Sequence, residues 1–155
     1  MTGDASVRPP ASSLAASVRM KAMRRKDTGA EILLRKNLHA LGLRFRIDQA
    51  PLSGVRRRAD VVFRSAKVAV FVDGCFWHSC PVHATRPMAN REWWARKLEQ
   101  NRQRDMDTSQ LLDDAGWHVI RIWEHEDMQG AAARIRRVVL ARRSLFDTYR
   151  PFVES

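Results

Sequence analysis

A short segment at residues 73–83, DGCFWHSCPVH, contains an acid, two thiols, two imidazoles and a Phe-Trp pair. Its spacing Cys75-x4-Cys80-x2-His83 offers three metal ligands, and a structural zinc site needs a fourth Cys or His from elsewhere in the chain. His125 is the best available fourth ligand. Four protein ligands leave no open position for water, so this zinc would be structural. The alternative is that the thiols are small buried apolar groups and the imidazoles are ordinary surface histidines.

Three acids could form a second kind of metal site. If Asp60, Asp73 and Glu31 converge near one edge of a sheet, they suit Mg²⁺, which binds a few carboxylates together with carbonyl, water and phosphate oxygens. Asp is disfavoured inside a strand, so Asp60 requires an explanation. Each acid also has a structural interpretation. Asp60 could pair with the arginines at 56–58, Asp73 could shape a turn, and Glu31 could complete a helix cap.

The elements that position these residues can be predicted from the sequence. Thr28-Gly-Ala-Glu31 is the pattern of a capping box, which predicts a helix that ends at Gly42. The apolar positions of this helix at helical spacing are Ile32, Leu33, Leu38 and Leu41. We therefore expect the first helix to follow the cap directly.

Strand patterns follow this helix. Short runs at 44–47, 58–63 and 68–72, with a turn at 51–54, predict an antiparallel meander. A further strand is predicted at 118–123. If it lies parallel to the strand at 68–72, the loops after both strands leave the same edge of the sheet.

Two more helices complete the predicted fold. Asn90 is a suitable cap for a long amphipathic helix that ends at Gly116, and Asp127 could cap a last helix from Ala131 to Arg143. The inward positions of the last helix are Ile135, Val138 and Val139. The order helix, three strands, helix, strand, helix predicts an α/β architecture with a mixed sheet flanked by helices.

The chain length of 155 residues fits one domain with tails. Residues 1–18 are rich in Ala, Ser, Pro and Gly and are predicted to form a disordered leader. We assign 19–143 to the domain, with a basic arm at 19–27, and 144–155 to a C-terminal tail. The arm carries Met20, which could act as an apolar wedge in a DNA groove, although a solvated run of charges is the default interpretation.

The charge of the chain indicates its partner. Lys and Arg number 28 against 17 Asp and Glu, for a net charge of +11 and an isoelectric point near 11.1. Nucleic acid is the first candidate partner and a membrane surface is the rival. No apolar run approaches the roughly 20 residues needed to span a bilayer, and the N-terminus lacks the apolar core of a signal peptide. We expect an intracellular protein in a reducing cytoplasm.

Several motifs, in the same order, resemble those of the very-short-patch-repair (Vsr) DNA mismatch endonucleases. The resemblance runs from about Arg19 to about Asp127. Its motifs are Asp73-Gly-Cys-Phe-Trp-His78, Asn90-Arg-Glu-x-Trp94, Asn101-Arg-x-Arg-Asp105, Gly116-Trp117 and Trp123-Glu-His125. It implies a restriction-endonuclease-like fold and an enzyme that nicks one DNA strand 5′ to the thymine of a T:G mismatch left by deamination of 5-methylcytosine. It also implies a catalytic Mg²⁺ and a structural zinc.

The resemblance assigns roles to individual residues. Asp60 would be the central Mg²⁺ ligand together with the main-chain carbonyl of Val72, and Glu31 would support the metal site. His78 would be the general base that activates water, oriented by Asp105. A neutral imidazole can accept a proton at physiological pH, and a carboxylate partner fixes its tautomer. The resemblance implies the zinc ligands Cys75, Cys80, His83 and His125.

The aromatic residues of the motifs resemble a platform that enters the duplex beside the mismatch. Phe76, Trp77 and Trp94 would stack there, with Met20 entering from the opposite side. Stacking on an unstacked base contributes about 1 to 3 kcal/mol, similar to the cost of opening a base step. The alternative is that these rings belong to the core. One of Trp93 and Trp94 is expected to pack inward.

Two departures from the common nuclease motif are present. Ala59 precedes Asp60 where that motif has proline, and Gly74 stands where a lysine is sought. The missing lysine agrees with a histidine base. Asp73 could be a further metal ligand or only shape its turn, and we rank it below Asp60.

The resemblance implies further expectations about partners and context. They are double-stranded DNA with a T:G mismatch, a MutL-type repair protein, a companion cytosine methyltransferase and a bacterial, nucleoid-associated location. A single nick requires one active site, so a monomer suffices. Two alternatives stay open: a related nicking endonuclease that recognises another mismatch, sequence or DNA structure, and a zinc-stabilised DNA-binding module without cleavage.

Overall fold

The computed structural model describes residues 27–83 and 88–149, so the predicted leader and Met20 lie outside the described residues. In chain order the elements are α1 (Gly29–Ala40), β1 (Arg46–Gln49), β2 (Ala59–Phe63), β3 (Val68–Asp73), α2 (Arg91–Asp114), β4 (His118–Trp123) and α3 (Met128–Tyr149). The strands begin or end within two residues of their predicted bounds. Among the described residues, no helix combines the length and the apolar character needed to cross a bilayer.

The sheet is mixed and has the strand order β1-β2-β3-β4. β1, β2 and β3 are antiparallel neighbours, whereas β4 runs parallel to β3 with Asp73 opposite Trp123. The predicted α/β class and the meander are thus confirmed, and the parallel pairing on which the fourth zinc ligand depended is present. Because β3 and β4 end at the same edge, the loops that follow them lie side by side.

Helices cover both faces of the sheet. On β3, Val68 and Val70 pack in a core with residues of α1 and α3, while Ala69 and Phe71 pack on the other side against Leu112 of α2. This alternation is the two-residue period of a strand that is buried on both faces. The central strand is therefore held from both sides up to the point where the Cys/His-rich loop begins.

The start of α1 differs in one detail from the predicted capping box. The Thr28 hydroxyl accepts a hydrogen bond from the Glu31 amide at 3.3 Å, as expected. The Glu31 carboxylate accepts from the amide of Asp27 at 2.8 Å, one residue before the cap. Glu31 is buried by this arrangement.

The apolar face of α1 was predicted only in part, because Leu38 alone of its four predicted positions is buried. Leu34 and Leu38 are completely buried, whereas the predicted positions Ile32, Leu33 and Leu41 are 40 to 51% exposed. The buried stripe follows Glu31 at spacings of three and seven residues, so the cap sets which face meets the sheet. Gly42 follows the helix with φ of +80°, as predicted.

The caps of the two later helices contrast. Asn90 occupies the N-cap position of α2, as predicted, but it has φ of 55° and its side chain makes no cap hydrogen bond. A capping side chain needs an extended backbone to reach the next amides, and the left-handed backbone of Asn90 lacks it. At α3 the prediction holds: the Asp127 carboxylate accepts from Gln129 and Gly130 at 3.2 and 3.0 Å.

The last helix is longer than predicted. It runs from Met128 to Tyr149 and not from Ala131 to Arg143, so residues 144–149, assigned to the tail, are helical. No Gly or Pro occurs between positions 131 and 150 to end the helix earlier. The Arg142 side chain also fixes its later turns by donating to the carbonyls of Ala66 and Gly116, both at 2.7 Å.

Candidate active site and metal centre

His78, in the loop after β3, is hydrogen-bonded through Nδ1 to the Asp105 carboxylate of α2. An ionised carboxylate only accepts, so Nδ1 carries the proton and Nε2 keeps a free lone pair. Burial lowers the pKa of His78, but the hydrogen bond to Asp105 and the charges of Asp73 and Asp105 outweigh it, and the pKa is raised above 6.5. This arrangement can accept a proton from water near neutral pH.

Asp105 is held in its ionised form. Burial raises its pKa, yet the hydrogen bond and charge of His78, followed by Arg121 and Arg57, lower it below the ordinary value. The Asp105 side chain is 13% exposed and that of His78 is 25% exposed. The pair is therefore a partly buried unit whose outer nitrogen can reach solvent.

Two further acids, Asp60 and Glu31, lie near the His78–Asp105 pair. Asp60 on β2 accepts a hydrogen bond from the Val72 amide at 2.6 Å, which brings Val72 of β3 beside it. Burial raises the pKa of Asp60 to about 7; the Val72 hydrogen bond opposes this, while the charges of Glu31, Asp73 and Asp48 add to it. The pKa of Glu31 is likewise raised, chiefly by burial.

The charges that act most strongly on Asp60 are thus three other carboxylates. A divalent cation would relieve this repulsion, and oxygen donors from two acids and a main-chain carbonyl are the kind that Mg²⁺ takes. The donor chemistry at this place therefore fits a hard divalent cation.

A cleft of about 440 Å³ opens over these residues and is lined by Glu31, Val72, His78 and Asp105. Its rim also carries polar and cationic side chains from α2 and from the segment before β2: Arg57, Lys97, Asn101 and Arg104. Side chains of this type bind the phosphate oxygens of a nucleic-acid backbone. The cleft thus combines a proton acceptor, a cluster of acids and phosphate-binding groups.

Asp73 ends β3 between His78 and Arg121 of β4. Both of its oxygens accept from Nη1 of Arg121, at 3.0 and 3.2 Å, and Oδ1 lies 3.8 Å from Nδ1 of His78. Burial raises the pKa of Asp73 despite the opposing charges of Arg121 and His78. Its oxygens are therefore used within the protein to a greater extent than those of Asp60.

The structure brings the four predicted zinc ligands together. All ligand atoms of Cys75, Cys80, His83 and His125 lie within 4.8 Å of one another. Nδ1 of His125 is 3.1 Å from the Cys75 sulfur and 3.8 Å from the Cys80 sulfur, and His83 Nδ1 is 3.9 Å from the Cys80 sulfur. A tetrahedral zinc with bonds of about 2.0 to 2.3 Å separates its ligands by roughly 3.4 to 3.8 Å. The spacing fits such an ion.

The two thiols differ in how easily they ionise. Burial raises the pKa of Cys80, but backbone hydrogen bonds from His83 and Val82 outweigh it and lower that pKa. Burial, followed by the nearby Cys80 thiol and the Glu124 carboxylate, raises the pKa of Cys75 to about 11. A thiolate is therefore favoured here only beside a positive charge. Parallel pairing of β3 and β4 explains the cluster, because three ligands follow β3 and one follows β4.

Three half-buried aromatic rings form one cluster beside the cleft. Phe76 contacts Trp77 and Trp94 with ring centroids 5.1 and 5.4 Å apart, and the two indoles are 6.1 Å apart. Trp93 packs on Trp94 with centroids at 4.8 Å. All four rings are half-buried, so the described structure does not place one of the two adjacent tryptophans inside the core.

Sequence reasoning missed three residues that support the site. The Asn101 amide donates to the Trp77 carbonyl at 3.3 Å, and the Glu124 carboxylate accepts from the Cys75 amide at 2.9 Å. Arg121 bonds Asp73, as described above. Asn101 and Glu124 lie inside motifs of the family resemblance, which was the available signal for them. An arginine between the apolar residues of β4 was the signal for Arg121.

Comparison with known proteins identifies the class. A type II nicking enzyme V.NaeI of Lentzea aerocolonigenes is 47% identical over 118 residues, which cover 75% of this chain and 71% of the relative. A type II nicking enzyme V.XorIIP of Xanthomonas oryzae pv. oryzae is 36% identical over 126 residues, covering 77% and 88%. With the α/β fold and the cleft described above, these relatives define a DNA nicking endonuclease.

The family follows from two further matches. Residues 13–83 match the family model described as DNA mismatch endonuclease Vsr. The DNA mismatch endonuclease Vsr of Escherichia coli is 35% identical over 109 residues, covering 70% of this chain and 68% of the relative. The chain belongs to the Vsr DNA mismatch endonuclease family, and its mixed sheet is consistent with a restriction-endonuclease-like fold.

Proposed function

We propose that this protein is a Mg²⁺-dependent endonuclease that nicks duplex DNA 5′ to the thymine of a T:G mismatch arising from deamination of 5-methylcytosine. The observation that supports it best is the His78–Asp105 pair, which shares a cleft with Glu31 and Val72 in front of Asp60. A proton acceptor beside a cluster of acids suits hydrolysis of a phosphodiester by water.

We assign the catalytic roles as the family resemblance implies, and the arrangement supports them. Asp60 and the main-chain carbonyl of Val72 would hold Mg²⁺, and Glu31 would support the site from α1. When bound, the ion supplies stabilisation of the negative charge that develops on the phosphate. Nε2 of His78 takes the proton of the attacking water, while Asp105 keeps the ring oriented and stabilises the imidazolium that forms. Asp73 is the weaker candidate ligand, since Arg121 bonds both of its oxygens.

The rim and the aromatic cluster would bind the substrate. Arg57, Lys97 and Arg104 bind the backbone on either side of the scissile phosphate. Phe76, Trp77 and Trp94 stack on bases at the opened step, with Met20 of the arm entering from the opposite side. A T:G wobble pair costs less to open than a Watson–Crick pair, so selection for the mismatch starts with deformation energy.

We propose zinc as the ion of the Cys75, Cys80, His83 and His125 cluster, with a structural role. It would join the loop after β3 to the end of β4. Phe76, Trp77 and His78 lie between the first two ligands, so the ion fixes the stacking rings and the base relative to each other. We also propose that a monomer acts and that a MutL-type repair protein is a partner.

A strand-labelled duplex with one T:G pair tests the proposal, with T:A and the other mismatches in the same sequence as matched substrates. We expect a nick 5′ to the thymine of T:G, loss of nicking in EDTA and recovery with Mg²⁺. Equal rates on T:A and T:G would reject mismatch recognition. Full activity of His78→Ala would reject the base, because general base catalysis contributes about 10² to 10⁴ in rate.

A second candidate is favoured by the names of the relatives. The matches at 47% and 36% identity are named type II nicking enzymes, whereas the Escherichia coli mismatch endonuclease is 35% identical. This enzyme could therefore require a particular sequence around its nick. Randomising the base pairs that flank T:G and sequencing the nicked products tests it. If all flanking sequences are nicked equally, the enzyme recognises only the mismatch.

A further inference from the structure

Two carboxylates compete for the same nitrogen of His78. Nδ1 is hydrogen-bonded to Asp105, and Oδ1 of Asp73 lies only 3.8 Å from it. The Asp73 side chain is 9% exposed and that of Asp105 is 13% exposed, so neither is well solvated. The direction of the imidazole depends on which carboxylate is the better acceptor.

Arg121 makes Asp73 a poorer hydrogen-bond acceptor for His78 than Asp105. Its Nη1 donates to both oxygens of Asp73, at 3.0 and 3.2 Å, so the acceptor capacity of Asp73 is directed away from His78. Its Nη2 donates to the main-chain carbonyl of Asp105 at 3.1 Å, and its Nε donates to Ser109 at 3.1 Å. One guanidinium therefore occupies Asp73 and also fixes the turn of α2 that carries Asp105.

We propose that Arg121 is a positioning residue that determines which carboxylate holds His78. By bonding Asp73 and the α2 backbone together, it leaves the Asp105 carboxylate as the partner of Nδ1 and so fixes the place of Nε2 in the cleft. The proposal rests on the proposed function in that His78 is the base.

Removal of Arg121 affects the two acids differently. Arg121 and Arg57 each lie 3.8 Å from the other oxygen of Asp105, so Asp105 loses one cation and keeps Arg57 nearby. Asp73 loses the group that bonds both of its oxygens, and a buried carboxylate without a partner is costly. Nδ1 of His78, 3.8 Å from Oδ1 of Asp73, is close enough to become its donor. The imidazole then turns toward Asp73, and Nε2 leaves its place beside the attacking water.

The test compares Arg121→Met, Arg121→Lys and the double variant Arg121→Met/Asp73→Asn. A displacement of about 1 Å in a catalytic group costs on the order of 100-fold, so we expect Arg121→Met to lose 10- to 100-fold in single-turnover nicking of T:G, with KM within about twofold of wild type. Arg121→Lys keeps a cation on Asp73 and retains more of the rate. In the double variant Asp73 carries no charge, and the rate rises about tenfold over Arg121→Met.

Arg142→Met is the matched control. Arg142 also donates to two groups, the carbonyls of Ala66 and Gly116, but it lies on α3 away from the cleft. We expect this variant to lower Tm and to leave the nicking rate unchanged. If the nicking rates of Arg121→Met and Arg142→Met both fall in proportion to their losses in Tm, Arg121 acts only through stability. That result would overturn the proposal.

A crystal structure of Arg121→Met gives a readout that needs no activity. We expect His78 Nδ1 within about 3 Å of Asp73, the reach of a hydrogen bond, and no longer on Asp105. His78 still bonded to Asp105 would overturn the proposal, as would a further rate loss on adding Asp73→Asn. A failure of the proposed function is distinguishable, because full activity of His78→Ala would discard the base while the crystal structure still reports the partner of His78.

Discussion

The cleft and the Cys/His cluster begin at the same strand end but are assembled in different ways. The cleft takes Glu31 from α1, Val72 from β3 and Asp105 from α2, and Asp60 of β2 bonds the Val72 amide, so packed elements position its groups. The cluster takes all four ligands from two loops that are brought together by the pairing of β3 with β4.

This difference indicates how catalytic groups on a loop can be held in precise positions. A general base and stacking rings must be held to within a fraction of an ångström, which loops rarely achieve alone. The loop after β3 is restrained by hydrogen bonds of Glu124 to the Cys75 amide, of Asn101 to the Trp77 carbonyl and of Asp105 to His78, and its Cys and His side chains gather with His125. We expect damage to the cleft to affect the rate and damage to the cluster to affect loop order and stability.

The largest effect is expected for Asp60→Asn. Loss of the central metal ligand removes several kcal/mol of charge stabilisation, or about 10³-fold in nicking rate. Zinc content, measured by mass spectrometry, should stay the same as in wild type. A rate within tenfold of wild type would show that Asp60 is not the metal ligand.

The same variant has a pH-dependent effect on stability. Burial raises the pKa of Asp60 to about 7, well above its value in an unfolded chain, so its ionisation opposes folding at higher pH. In EDTA we expect Asp60→Asn to have a higher Tm than wild type at pH 8. The difference in Tm between the variant and wild type should narrow as the pH falls from about 7 to below about 4, where the Asp60 carboxyl is protonated in both the folded and the unfolded state. Thermal unfolding at several pH values measures it.

Asp105→Asn should lower the nicking rate by about 10²-fold and change its pH dependence. His78 must be neutral to accept a proton, and its pKa is raised by Asp105 and Asp73, so the wild-type rate should rise with pH to a midpoint above 6.5. The amide keeps the shape but removes a charge, which moves the midpoint to lower pH. An unchanged midpoint in rates from pH 5.5 to 9 would contradict the pairing.

His125→Ala should affect stability more than chemistry. Loss of a ligand from a structural site destabilises the fold by about 2 kcal/mol or more, or roughly 4 to 8 °C in Tm, and lowers activity by about 10- to 100-fold. His125→Cys keeps a suitable zinc ligand and is the control. Equal losses in the two variants would argue against a metal at this cluster.

The smallest effect is expected for single aromatic rings. Trp94 contacts both Phe76 and Trp77, whereas Trp93 contacts Trp94. Trp94→Ala should weaken binding to a T:G duplex by about 1 to 3 kcal/mol, and Trp93→Ala by less. Dissociation constants at one fixed salt concentration compare them. A larger loss for Trp93→Ala would reverse the assignment of the stacking residue.

Local spacing was sufficient to predict much of this molecule. The strands, the meander and the turn residues depend on short-range patterns, and Cys75, Cys80 and His83 lie on one loop. The parallel pairing of β4 with β3 joins distant residues and was only a condition of the zinc prediction. The buried face of α1 and the missing cap hydrogen bond at Asn90 depend on how the helices meet the sheet, which periodicity does not encode. The contact of Arg121 with Asp73 joins residues 48 apart, and only the register of β3 with β4 brings them together.

The cap of α1 also limits how the enzyme can surround its substrate. The Asp27 amide is bonded to Glu31, and its carboxylate pairs with Arg35 at 2.8 Å, so the last residue of the basic arm is fixed beside the cleft. Met20 precedes Asp27 by seven residues in the sequence, and seven extended residues span at most about 25 Å. If Met20 enters the DNA as proposed, that length, slightly more than the width of a B-form duplex, sets the farthest point it would touch while the catalytic groups face the scissile phosphate.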